Sequence, residues 1–182
     1  PQGKVHIVLM DPSDEPNGLA TPLPYNTIYL YGTPPLDGSA LDHYDDWLST
    51  LLIHEFTHTV HLDMAKGPIN KFLRILFGRF WLPNAPQQQW AHEGLAIFYE
   101  TEETTQGRGR SSQIQMFLRT VSLEDQFIGI DRATYWNDRY PLGNSAYWYG
   151  IGFYQYLAQK YGEEKIIEFI HSTAASPIPG SM

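Results

Sequence analysis

Cysteine is absent from the 182-residue chain. That excludes disulfides, thiolate metal sites and thiol nucleophiles, and leaves His, Asp and Glu as the side chains able to hold a metal. Positive charge is scarce too. Twelve lysines and arginines face 20 acidic residues, for a formal net charge of −8, and the basic residues form no block. Such a chain is a poor match for a phosphate backbone, and no nucleic-acid partner is expected. No apolar run is long enough to cross a bilayer, so no transmembrane segment is expected. No repeat appears at solenoid or propeller periods. The opening Pro1-Gln2-Gly3-Lys4 is neither an initiator Met nor a signal peptide, and residues 177–182 read as a truncated linker. The chain is therefore read as a fragment, with a covalently fused downstream domain expected.

Aromatics are plentiful, with 5 Trp, 12 Tyr and 9 Phe, enough for a sizeable core. Residues 4–10 and 27–31 are β-rich runs, and Pro22 and Pro24 just before the second suit an edge strand. From about residue 41 the apolar period becomes helical: Trp47, Leu48, Leu51, Leu52, Phe56, Val60 and Leu62 recur three and four apart, up to a stop at 66–68. Further helices are expected over about 88–102, 112–121, 145–160 and 163–172. Residues 69–81 (INKFLRILFGRFW) predict a short helix and a loop. That stretch suits a membrane-surface segment or a substrate lid, but core or an interface to a further domain is the expectation. Strands precede helices, which predicts an α+β domain over 1–176, with a β-rich part at 1–40 and a helical body at 41–176.

The chemistry is carried by His54-Glu55-Phe56-Thr57-His58, the pattern H-E-x-x-H. Residues four apart stack on one helix face, so both imidazoles can reach one tetrahedral Zn²⁺ at about 2.0–2.1 Å. Glu55, beside the first ligand but off that axis, is placed to take a proton from a water the metal activates. Three of the seven histidines, His54, His58 and His61, fall in this helix. A catalytic zinc wants a third protein ligand and an open position. Glu93, in Trp90-Ala91-His92-Glu93-Gly94, is the best candidate, with His92 and His61 as rivals. Gly94 is costly inside a helix, and close approach of another helix would account for it.

H-E-x-x-H followed by a helix carrying Glu93-Gly94-Leu95-Ala96 resembles the gluzincin metallopeptidases, in particular the bacterial peptidase MA-like group, and more distantly the zinc aminopeptidases. The resemblance runs from about residue 54 to 169. It implies a thermolysin-like catalytic body, one Zn²⁺, and Glu93 rather than His92 as third ligand. Tyr147-Trp148-Tyr149-Gly150 resembles the family helix whose Tyr donates to the oxyanion. That assigns the role to Tyr147, with Tyr149 as its neighbouring alternative. The resemblance also implies a peptide or protein substrate held by an edge strand, at 27–31 or 17–21. It implies export to the periplasm, cell surface or medium, and fusion to a partner such as a β-propeller.

The chain departs from the family in three places. Residues 66–89 lengthen the distance between His58 and Glu93 relative to the aminopeptidases, and the aminopeptidase G-x-M-E-N sequence is missing, which favours an endopeptidase. Ile97 stands where thermolysin-type enzymes carry an Asp, so Asp63, Glu100 or a backbone carbonyl is expected to orient a zinc histidine. The alternative functions are a zinc hydrolase of a non-peptide amide or ester, and a weakly active or inactive binding module.

Overall fold

The computed structural model describes residues 3–180 except Pro12 and Ala40; the outermost residues of the β-rich part and of the expected linker (1–2 and 181–182) lie outside the described residues. The fold is α+β, a three-stranded sheet followed by a mostly helical body. Strands β1 (His6–Met10), β2 (Gly18–Thr21) and β3 (Thr27–Tyr31) lie in the order β1-β3-β2, with β1 parallel and β2 antiparallel to β3.

The expectation that 27–31 is an edge strand is overturned: β3 is central. Pro22 and Pro24 lie in the turn between β2 and β3, so they remove no donor from the ladder. The alternation of β3 sends Ile28 and Leu30 into a small core with Leu51 of the first helix. β2 is the edge strand beside that helix.

Helix α1 (Trp47–Leu62) begins six residues after the expected start. The cause is local. Carboxylates of Asp42 and Asp45 accept from the backbone of Gly38 and Asp46, and the Asp46 carboxylate caps the helix by accepting from Ser49 N at 2.9 Å. Helices α2 (Gly67–Phe77), α3 (Gln89–Glu102), α4 (Ser112–Leu123), α5 (Ser145–Tyr161) and α6 (Glu163–Ala175) follow. Of the two expectations for 69–81, core or an interface to a further domain, core fails: Ile69, Phe72, Ile75, Leu76, Phe77 and Phe80 are all exposed. The body's core is built from α3, α4, α5 and α6, around Trp90, Ile97, Phe117, Trp148, Tyr154 and Ile166.

The close approach expected at Gly94 is present, and its partner is Gly150 of α5. A Cβ on Gly94 would lie 2.3 Å from the Gly150 carbonyl carbon, and one on Gly150 would lie 2.4 Å from Trp90 O. The helices touch backbone to backbone. Intrinsic propensity says that Gly→Ala inside a helix stabilises by about 1 kcal/mol. Here the sign reverses. Gly94→Ala and Gly150→Ala are each expected to destabilise by about 1–3 kcal/mol or more through overpacking, read as a lowered urea midpoint. A gain in stability would contradict the packing described.

Candidate metal centre

His54 and His58 rise from one face of α1, one turn apart, with their Nε2 atoms 3.1 Å from each other. Glu93 arrives from α3. Its Oε2 lies 3.3 Å from His54 Nε2 and 3.4 Å from His58 Nε2. Glu93 Oε2 is buried and accepts no hydrogen bond. Three ligand atoms on a tetrahedral ion at about 2.0–2.1 Å stand about 3.3–3.4 Å apart, so the triangle fits such an ion. Among the described residues, these three form the group that can hold a metal.

The rivals stand outside the triangle. The His92 ring packs against that of His61, with centroids 4.9 Å apart. Burial lowers both, His61 to about 3 and His92 to about 4. Both rings are neutral and stand outside the triad, His61 buried and His92 half-buried at the border of the triad's cleft.

His54 is oriented by Glu100, whose Oε2 is 2.9 Å from Nδ1. Glu100 is seven residues after Glu93, two turns along the same face of α3. Arg108 clamps this carboxylate from N, Nε and Nη2 at 3.1, 2.8 and 2.7 Å. Burial alone would raise the Glu100 carboxyl; Arg108 and His54 reverse that and hold it at about 2. Burial and Arg108 likewise oppose charge on His54, but Glu100 and Glu93 outweigh them and raise it to about 9. Burial works against charge on Glu93 as well, and the two histidines hold it well below the usual carboxylate range. A cation entering the triad replaces the proton that holds these groups together. Asp63, the other carboxylate candidate, is engaged away from the triad by Arg74 and Asn26.

Arg108 and Tyr135 escaped the reading of the sequence. Arg108 follows Gly107, which has φ 90 and sits where a Cβ would lie 2.6 Å from Thr101 Cα, so the loop folds tightly onto the end of α3. Tyr135, in an irregular loop, donates its hydroxyl to Glu93 Oε1. That leaves Oε2 for the triangle. Burial and Glu93 both push the Tyr135 phenol up, so it stays protonated.

Tyr147 faces the same cleft, its ring 5.8 Å from that of Tyr135 and 5.3 Å from the Arg108 guanidinium carbon. Burial and Glu93 raise it to about 12. Tyr149 points the other way, into the core, with its ring 5.5 Å from Phe117 and 5.0 Å from Phe127. The cleft, about 910 Å³, is bordered by Gly18, Leu19 and Ala20 of β2 and by His54, Glu55 and His58 of α1. Glu55 is pressed against β2: a Cβ on Gly18 would lie 2.7 Å from its Oε1.

Compared with protein-family models, curated proteins and solved structures, the chain matches none.

Two outcomes follow from this geometry. Tyr135→Phe and Glu100→Gln should each weaken the affinity for added Zn²⁺ by about 10–100-fold, measured by competition with a chromogenic chelator. Separately, His61 makes the metal-free protein acid-sensitive. Its folded pKa of about 3 lies below the ordinary 6.5. Its contribution is therefore intact above pH 6.5 and lost as pH falls from there toward 3, by up to about 1.4 kcal/mol per pH unit. Denaturant unfolding between pH 7 and 5 should show that slope, and His61→Phe should reduce it, leaving the share of the same sign that comes from His92, lowered to about 4.

Proposed function

We propose that this chain is the catalytic domain of a zinc-dependent peptidase of the gluzincin type, similar to the bacterial peptidase MA-like proteins, with a thermolysin-like arrangement of its helices. The observation that carries the reading is the triangle of His54, His58 and Glu93 in one cleft with Glu55 and Tyr147. Two imidazole nitrogens and one carboxylate oxygen suit zinc among the divalent ions. The edge strand β2 favours a peptide over a small amide or ester, because only an extended backbone can use a strand edge. A cleft without the G-x-M-E-N capture sequence favours internal cleavage. Export is part of the proposal and rests on the family resemblance alone.

His54, His58 and Glu93 would hold the zinc, which when bound supplies Lewis acidity toward a carbonyl oxygen and toward a water. The remaining work falls to the chain's own residues. β2 binds and orients the substrate backbone. Glu55 takes a proton from the attacking water as its oxygen bonds to the scissile carbon. Glu55 then returns that proton to the nitrogen as the C–N bond breaks, so atoms and charge balance. Tyr147 donates its hydroxyl to the developing oxyanion, and its raised pKa keeps the donor protonated at neutral pH. Glu100 and Arg108 keep His54 in one tautomer and one orientation.

The test is peptide hydrolysis by zinc-loaded protein on a mixed-sequence peptide library. Glu55→Gln should keep zinc and lose about 10²–10⁴-fold in kcat. Tyr147→Phe should lose about 10²–10³-fold, with Tyr149→Phe close to wild type in kcat and altered only in stability. Zinc-loaded wild type that cleaves simple esters but no peptide would replace the peptidase by a non-peptide hydrolase. Failure to turn over any substrate would favour the binding module.

A further inference from the structure

Helix α2 is built inside out. A surface helix ordinarily turns its apolar stripe to the body and its polar stripe to water. In α2 the polar residues Asn70 and Arg74, four apart on one face, are the ones turned inward. Asn70 is fully buried and donates to Ala174 O at 3.0 Å and Ser176 O at 2.7 Å, while Trp81 Nε1 donates to its Oδ1 at 3.2 Å. Arg74 pairs with the Asp63 carboxylate and donates to Asp63 O and Trp81 O at 3.3 and 3.2 Å. These bonds fix the rotation of the helix. Rolling it over to hide its apolar side would strip Asp63 of its Arg74 partner and leave Asn70's amide partners unmet.

The outward side carries Ile69, Phe72, Ile75, Leu76 and Phe77, continued by Phe80 in the following 3₁₀ turn, with Ile75 84% and Phe80 78% exposed. This is a contiguous apolar ridge on a single projecting helix. Its charge is as unusual as its rotation. Residues 64–81 contain Lys66, Lys71, Arg74 and Arg79 and no Asp or Glu, in a chain whose net charge is −8. With Arg74 engaged by Asp63, the exposed Lys71 and the half-buried Lys66 set the ridge in a positive stretch. No described helix is long and apolar enough to cross a membrane.

We infer that α2 seats the protein on an anionic phospholipid surface, with the Ile69-to-Phe80 ridge entering the acyl boundary and Lys66 and Lys71 meeting headgroup phosphates. Charge complementarity selects the occupant: an acidic chain whose most exposed apolar ridge is flanked by Lys66 and Lys71, in a stretch free of Asp and Glu, fits a negative interface.

The test is co-sedimentation with vesicles of phosphatidylcholine alone and of phosphatidylcholine doped with phosphatidylglycerol. Binding to the doped vesicles, weaker on the neutral ones and weakened by salt, is the expected result. Ile75→Ser and Phe72→Ser, both at exposed positions, should each cut that binding about tenfold with an unchanged thermal melt. Lys71→Glu should reduce binding to the doped vesicles alone. The inference is overturned by absence of binding to either vesicle, or by Ile75→Ser binding as tightly as wild type. A dimer in sedimentation velocity that Ile75→Ser dissolves would also overturn it, by placing a second copy of the chain on the ridge.

Discussion

The candidate centre depends on two helices that touch without side chains between them. Gly94 of α3 and Gly150 of α5 meet backbone to backbone. Glu93 is the residue before one glycine, and Tyr147 stands nearly one turn before the other. Contact at this distance is what puts a triad ligand and the proposed oxyanion donor into one cleft. A side chain at either glycine would push α5 away and take Tyr147 with it. α1 then needs only its own helical period to bring His54 and His58 under Glu93.

Around that contact the protein buries charge in matched pairs. Glu93 lies against two histidines, Glu100 against His54 and Arg108, and Asp63 against Arg74. An unpaired carboxylate in this interior would be neutralised by its desolvation cost. Here Glu93 and Glu100 are each held ionised by their neighbours, so the triad has the donor chemistry a divalent cation requires. Glu93 divides its two oxygens, one taken by Tyr135 and the other aimed at the histidines, and this division favours a one-oxygen ligand.

How much was legible in the sequence depended on how local the cause was. H-E-x-x-H was legible because helical geometry alone aligns His54 and His58. Gly94 announced a close helix approach, but nothing local could name Gly150 as the partner. Glu100 was within reach, since seven residues after Glu93 is two turns on the same face. Arg108 and Tyr135 were out of reach because irregular loops carry them into the site. Tyr147 and Tyr149 could be separated only by knowing which way α5 faces. The prolines misled about β3 because they act in the turn before it, and 69–81 was legible as a short helix and a loop but not for which side of the helix is in. The β2 edge, read as one of two possibilities, is where the sheet ends among the described residues.

The central claim is that His54, His58 and Glu93 form one zinc site. Elemental analysis of the purified protein beside Glu93→Ala tests it most directly. The account predicts one equivalent of zinc in the wild type and a large loss in the variant, with both proteins folded. Wild type that carries no zinc and takes up none on addition would contradict it.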